Sequence, residues 1–121
     1  VRHINIALVC AERSTFKQRI GAVVFKGSRI LGTGFNQTNR HQSLVKTSSW
    51  PGSVHAEVSA IADAIRNYKD VRGADMLVVR LKRTGDMGLA MPCEACYNVL
   101  KSVGIRRVNF SDVDGFGCIT F

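Results

Sequence analysis

The sequence predicts one α/β domain, with three helices and five strands in the order α-ββ-α-β-α-β-β. Apolar residues recur at helical spacing in three segments, and two β-rich segments turn back on themselves around Gly27-Ser28 and Asp114-Gly115. Between them "ADMLVVRLK" is an unbroken apolar run, the pattern of a strand covered on both faces.

Ile4, Ala7, Leu8 and Ala11 make the first helical stripe, so a helix is expected from about residue 2 to 13, ending near "ERST". Ile20 to Phe25 and Arg29 to about Thr33 then form a hairpin. Asn36 to Ser53 is polar, ends in Pro51-Gly52 just before, and reads as a loop. "SVHAEVSAIADAI" is the second helix, with Val58, Ile61, Ala62 and Ile65 as its apolar face. After the long apolar strand, "RTGDMGLA" reads as a loop. "PCEACYNVLKSVG" is the third helix, with Pro92 near its first position, Gly104 just past its end, and a buried stripe of Cys96, Val99, Leu100 and Val103. "IRRVNF" and "FGCITF" close the chain as paired strands.

A chain of 121 residues that is 45% hydrophobic is one domain in size and buries a core without staples. It holds no run of the roughly 18 apolar residues a membrane span needs and no signal-peptide pattern, so a soluble, cytoplasmic protein is expected. It lacks an initiator Met, which implies an internal or processed start. Seventeen Lys and Arg against nine Asp and Glu, a net charge of +8 spread over many segments, favour a phosphate-bearing partner over a neutral one. Of the four cysteines, Cys10 and Cys118 stand alone and read as buried apolar residues. Cys93 and Cys96 form a pair whose spacing suits a metal or redox role better than a secreted disulfide framework.

Two helices therefore begin with metal-capable residues, His55-Ala56-Glu57 and Pro92-Cys93-Glu94-Ala95-Cys96. Cysteines three apart on a helix face the same way, and a helix N-terminus lowers thiol pKa. If the two helices pack side by side, His55 supplies a third ligand and a fourth position stays open, the arrangement of a catalytic zinc. Glu57 then has a task that a helix alone does not give it: zinc activates water and Glu57 moves the proton to a substrate nitrogen. The alternatives are a closed structural zinc completed by Cys10 or Cys118, and a thioredoxin-like redox pair.

The double motif, H-x-E followed by P-C-x-x-C, resembles that of the zinc-dependent cytidine and deoxycytidylate deaminase superfamily. The resemblance runs from near residue 4 to the end. It implies a three-layer cytidine-deaminase-like fold, a five-stranded mixed sheet with helices on both faces, over residues 1–121 as a single zinc-dependent deaminase domain. It implies zinc ligands His55, Cys93 and Cys96, and Glu57 as proton shuttle. It also implies that Asn36, in "GFN", contacts the substrate through its side-chain amide while the Ala56 backbone N–H meets the base carbonyl. A homo-oligomer is expected on the same ground.

The flanks "MPCEAC" and "GIRRVNFSD" look more like small bacterial and phage deoxycytidylate-type enzymes than like bacterial tRNA adenosine deaminases, which usually carry Glu where this chain has Met91. The expected reaction converts a dCMP-like cytosine nucleotide to its uracil form with release of ammonia. The alternative is a polynucleotide deaminase acting on cytosine or adenine in single-stranded DNA or RNA, favoured by the charge but not by the nine scattered aromatics. Lys17 and Arg19 are candidate phosphate ligands by charge and position. Trp50 reads as a packing anchor or pocket wall, and His41 as surface.

Overall fold

The computed structural model describes residues 2–16, 18–38, 53–68 and 70–121. Lys17, His41 and Trp50 lie outside them. The elements are α1 (Arg2–Glu12), β1 (Arg19–Lys26), β2 (Arg29–Phe35), β3 (Gln37–Thr38), β4 (Ser53–Val54), α2 (Ala56–Tyr68), β5 (Asp75–Leu81), β6 (Met87–Gly88), α3 (Glu94–Ser102), β7 (Arg107–Asp112) and β8 (Gly115–Thr120). The main sheet has the order β2-β1-β5-β7-β8, with the two-residue β6 paired to the end of β5. Only β5 and β7 run parallel, joined by the α3 crossover, so the sheet is mixed as expected. β3 and β4 pair with each other: β3 lies in the segment the sequence marks as loop, and Ser53–Val54 stands where the sequence starts the second helix, which begins instead at Ala56; two-residue strands leave no periodic signal.

β5 is covered on both faces, and its side chains divide the core in two. Met76 and Val78 face α2 and α3, packing with Val58, Ile61 and Leu100, whereas Leu77 and Val79 face α1, packing with Ala7, Ala11 and Val23. Fully burying one such aliphatic side chain contributes about 1.5–3 kcal/mol, so this division fixes which helix lies on which face. The result is three layers: α1, the sheet, then α2 with α3. At the N-terminal end of β5, Asp75 receives Arg106 through Nε at 3.0 Å and Nη2 at 2.9 Å. Burial alone would raise the Asp75 pKa, but the Arg106 hydrogen bonds and the charges of Arg106 and Arg107 outweigh it and hold the carboxyl low.

The helices lie unusually close to the sheet because glycines face them. A Cβ on Gly34 would come 2.5 Å from the Ala60 nitrogen and 2.8 Å from the Ala56 carbonyl; on Gly32 it would come 2.5 Å from the Ala64 nitrogen. Gly21 makes the same room for α1 against Ala7 and Ala11. The inner face of α2 is consequently the alanine stripe Ala56, Ala60 and Ala64 with Val58 and Ile61, while Ala62 and Ile65 are only half-buried. Gly34→Ala should lower stability by about 1–3 kcal/mol, the usual cost of overpacking, because backbone rather than a flexible side chain must yield. An unchanged urea midpoint would show that α2 does not sit where described.

Pro92 precedes α3 by two residues, and Cys93 is its N-cap. Gly104 (φ 85°) does end the helix, with its N–H on the Lys101 carbonyl and the Ile105 N–H on that of Leu100. Cys10 is buried, but Cys118 is exposed: it sits on an edge strand, on the face opposite Ile119, which packs in the core. The turn after β7 is Val113-Asp114, since Asp112 pairs with Gly115. Among the described residues no helix is long and apolar enough to cross a membrane.

Candidate metal centre and active site

Both metal-capable motifs arrive at one end of the sheet. α2 runs antiparallel to β2, its first turn against Gly34 at the strand's end. α3 follows the C-terminal end of β5, and β1 begins there too, with Arg19 opposite Leu81. The two helix starts therefore meet beyond the C-terminal end of β5, where open α/β sheets place their ligands.

His55 immediately precedes α2, and its carbonyl accepts the Ser59 N–H as the helix begins. Cys93 caps α3 in an extended conformation, with no side-chain hydrogen bond to the helix, so its sulfur is not used as a cap. Cys96 lies on the inner side of the first turn and is wholly buried. His55 Nδ1 stands 3.1 Å from Cys96 Sγ and 3.6 Å from Cys93 Sγ, and the three donor atoms lie within 4.8 Å of one another.

These distances fit zinc. Tetrahedral bonds of about 2.0 Å to nitrogen and 2.3 Å to sulfur put the two donors roughly 3.5 Å apart. Among the described residues the cluster contains these three side chains and no fourth. Cys10 is on α1, across the sheet, and Cys118 is on the far edge strand, so neither completes a closed structural site.

Glu57, one position into α2, is buried (5% exposed) beside Cys96. Burial raises its pKa to about 7, against opposing hydrogen bonds from its own backbone N–H and from Cys96. A carboxyl at that position in the pH range both takes and gives a proton. The Cys96 thiol is pushed well up by burial and then by the neighbouring Glu57 and Cys93. Burial thus opposes the lowering expected of a helix N-terminus. A coordinated dication reverses this balance and deprotonates a thiol outright. Burial likewise lowers the His55 pKa, favouring the neutral imidazole that metals bind.

Asn36 lies between β2 and β3, nearly buried, and its side chain clamps the start of β1. Oδ1 accepts the Ile20 N–H at 3.0 Å and Nδ2 donates to the Gln18 carbonyl at 2.6 Å. An amide offers two N–H groups and two lone pairs, so these bonds leave capacity for a ligand. Ala56 is the first residue of α2, where backbone N–H groups have no partner within the helix. Ser111 had no sequence signal: it follows the expected strand "IRRVNF" and opens the turn segment, whereas the structure places it within β7. It is fully buried, donates from Oγ to the Gly88 carbonyl at 2.7 Å, and accepts the Arg80 N–H at 3.0 Å. Its carbonyl takes the Ala90 N–H at 2.9 Å, so it anchors the segment leading to Pro92 and Cys93.

One imidazole and two thiols leave a tetrahedral cation with an uncovered position, which a zinc enzyme requires and a structural zinc lacks. With a buried carboxyl alongside, the arrangement is that of a hydrolytic zinc enzyme. The family model described as the cytidine and deoxycytidylate deaminase zinc-binding region matches residues 2–112. A deoxycytidylate deaminase of Mycobacterium phage D29 is 31% identical over 124 residues, spanning 87% of this chain and 88% of that one. The dCMP deaminase of cyanophage S-TIM5 superposes with a TM-score of 0.70 at 21% identity, over 92% of this chain and 80% of that one. That enzyme has also been solved with dCMP and dUMP. A cytidine deaminase from Burkholderia pseudomallei gives 0.69 at 20% identity, over 98% of this chain and 90% of that one. The chain belongs to the cytidine and deoxycytidylate deaminase family, and zinc is its cofactor.

Proposed function

We propose that the protein deaminates dCMP, exchanging the 4-amino group of the cytosine for oxygen from water and releasing dUMP and ammonia. The observation that carries this is the His55–Cys93–Cys96 cluster with Glu57 buried beside it. The phage D29 relative, named a deoxycytidylate deaminase, supports the nucleotide, as do the +8 charge and the S-TIM5 structure with dCMP and dUMP.

In this reading His55, Cys93 and Cys96 hold the metal. Bound zinc supplies the Lewis acidity that lets water act as a nucleophile near neutral pH. Glu57 takes a proton from the attacking water and delivers it to the departing nitrogen, so that ammonia leaves as a neutral molecule. The Ala56 N–H receives the base carbonyl, and the free N–H of Asn36 reaches the substrate while its other bonds hold β1 in place. Ser111 keeps the Cys93 segment in register with β5 and β7. The enzyme acts in the cytoplasm and as a homo-oligomer.

The charge also suits a second reading, a polynucleotide substrate, and salt separates the two. A mononucleotide engages one or two cations, so its KM should rise only weakly between 50 and 200 mM salt. Binding that neutralises about six phosphates loses roughly 10³ in affinity over that interval. Ammonia release from dCMP, deoxycytidine and a short single-stranded oligonucleotide, measured across that range, is the test. We expect dCMP turnover with a shallow salt dependence; no dCMP turnover alongside steeply salt-dependent release from the oligonucleotide would replace this proposal with the second.

A further inference from the structure

We infer that a cavity of about 270 Å³ lined by Gln18, Arg80, Leu81, Lys82 and Arg83 is the subsite that binds the phosphate of the substrate. The inference deepens the dCMP reading and rests on it for the identity of the ligand, though not for the existence of an anion site.

Charge comes first. Arg80, Lys82 and Arg83 share one cavity whose lining contains no acid. Arg19 adds a fourth cation at its rim, donating from Nη2 to the Lys82 carbonyl at 3.1 Å. Among the described residues the ion pairs involve Arg66, Arg106 and Arg107, and none of these four. The acid of the same loop, Asp86, does not line the cavity, and its Oδ2 accepts the Thr84 hydroxyl at 3.2 Å. Cations gathered this way repel one another until an anion joins them, and a terminal phosphate brings about −1.5 to −2 at neutral pH. Guanidinium groups match phosphate oxygens in a planar two-point contact, and an ammonium adds a point charge.

The cluster is also held by the fold. The Arg80 N–H is fixed on Ser111 Oγ. Lys82 and Asp86 close the β5–β6 hairpin, the Lys82 N–H on the Asp86 carbonyl at 2.8 Å and the Gly85 N–H on that of Lys82 at 3.0 Å. A Cβ at Gly88 would stand 3.2 Å from both Arg80 Cδ and Lys82 Cε, so the glycine gives these two stems a lane across β6.

Arg80 follows Met76 and Val78 on the face of β5 that α2 and α3 cover. Gln18, across the cavity, is bonded through its carbonyl to Asn36. The next residue, Gln37, pairs with Val54, which precedes His55. The cavity and the metal cluster thus share one end of the sheet, with Asn36 linking their walls. A nucleotide with its base at the cluster has this cation group along the same wall, beyond Asn36, for its phosphate.

The test uses the zinc-loaded full chain with Lys82 and Arg83, both exposed, replaced together by Ala, and separately Arg80→Gln, which keeps most of the stem. The ratio of kcat/KM for dCMP over deoxycytidine should fall about tenfold or more in each variant, the equivalent of one lost charge-assisted hydrogen bond. An unchanged ratio overturns the inference. A binding arm works even if the parent turns over neither substrate: amide shifts of residues 18 and 80–83 on adding inorganic phosphate, deoxyuridine or dUMP. Movement with phosphate and dUMP but not deoxyuridine, lost in the double variant, supports the subsite. If phosphate moves these amides while dUMP binds no more tightly than deoxyuridine, the cavity is a free-anion site and the substrate assignment fails.

Discussion

Glu57→Ala should lower kcat by about 10² to 10⁴, the range of a general acid–base contribution, while the protein keeps its zinc and its fold. The sign of the stability effect makes this more than a knockout. Glu57 is buried at the start of a helix, and its pKa of about 7 shows how strongly burial penalises the carboxylate. A carboxyl kept there for structure would have an ion-pairing cation, and among the described residues Glu57 is in no ion pair. Removing it relieves desolvation, so Glu57→Ala and the near-isosteric Glu57→Gln should unfold at urea concentrations no lower than the parent. Elemental analysis should find metal unchanged in both, since the carboxyl is not one of the three clustered donors. Turnover within a few-fold of the parent would mean that another group moves the proton.

An acid in the first turn of a helix suits the helix dipole, so Glu57 taken alone has an ordinary explanation. It was legible because His55 stands two residues before it and the Pro92–Cys96 motif supplies the other metal-capable residues. The cysteine pair was legible through spacing, and the order of elements through periodicity, because α1, α2, α3, β1, β5 and β7 each carry a full helical or strand pattern. Gly32 was read only as a member of a strand and Gly34 as following it, whereas β2 runs on to Phe35. Glycines two apart on one strand face are the signal that a helix backbone lies against it, and that signal would have moved the inner face of α2 to Ala56, Ala60 and Ala64. The exposure of Cys118 depends on β8 being an edge strand, which is fixed by sheet order and leaves no local trace. The cation cluster escaped notice because Arg80 sits inside an apolar run while Lys82 and Arg83 begin what looks like an ordinary solvated turn. Only the pairing of β5 with β6 and the nearness of Gln18 gather them.

Cys93→Ser and Cys96→Ser should each reduce zinc from about one per chain to a small fraction, and activity with it, because a structure with three donors has none to spare. The two substitutions should differ in their cost to the fold. Cys93 is half-buried at the helix N-cap, where serine is a favoured residue, so its metal-free variant should fold about as well as the chelator-stripped parent. Cys96 is wholly buried against the core, where a hydroxyl lacking a partner costs about 1–3 kcal/mol, so Cys96→Ser should melt below that reference. Chelation should lower the melting temperature of the parent, because a ligand bound only to the folded state adds stability by mass action, and should leave both variants where they are. Cys10→Ser and Cys118→Ser provide the controls, since α1 and β8 hold those thiols away from the cluster: both should keep full zinc and full sensitivity to chelator. Metal at one per chain in Cys93→Ser and Cys96→Ser alike would remove the site described here, and zinc lost from either control would reinstate a fourth protein ligand and with it a closed, structural centre.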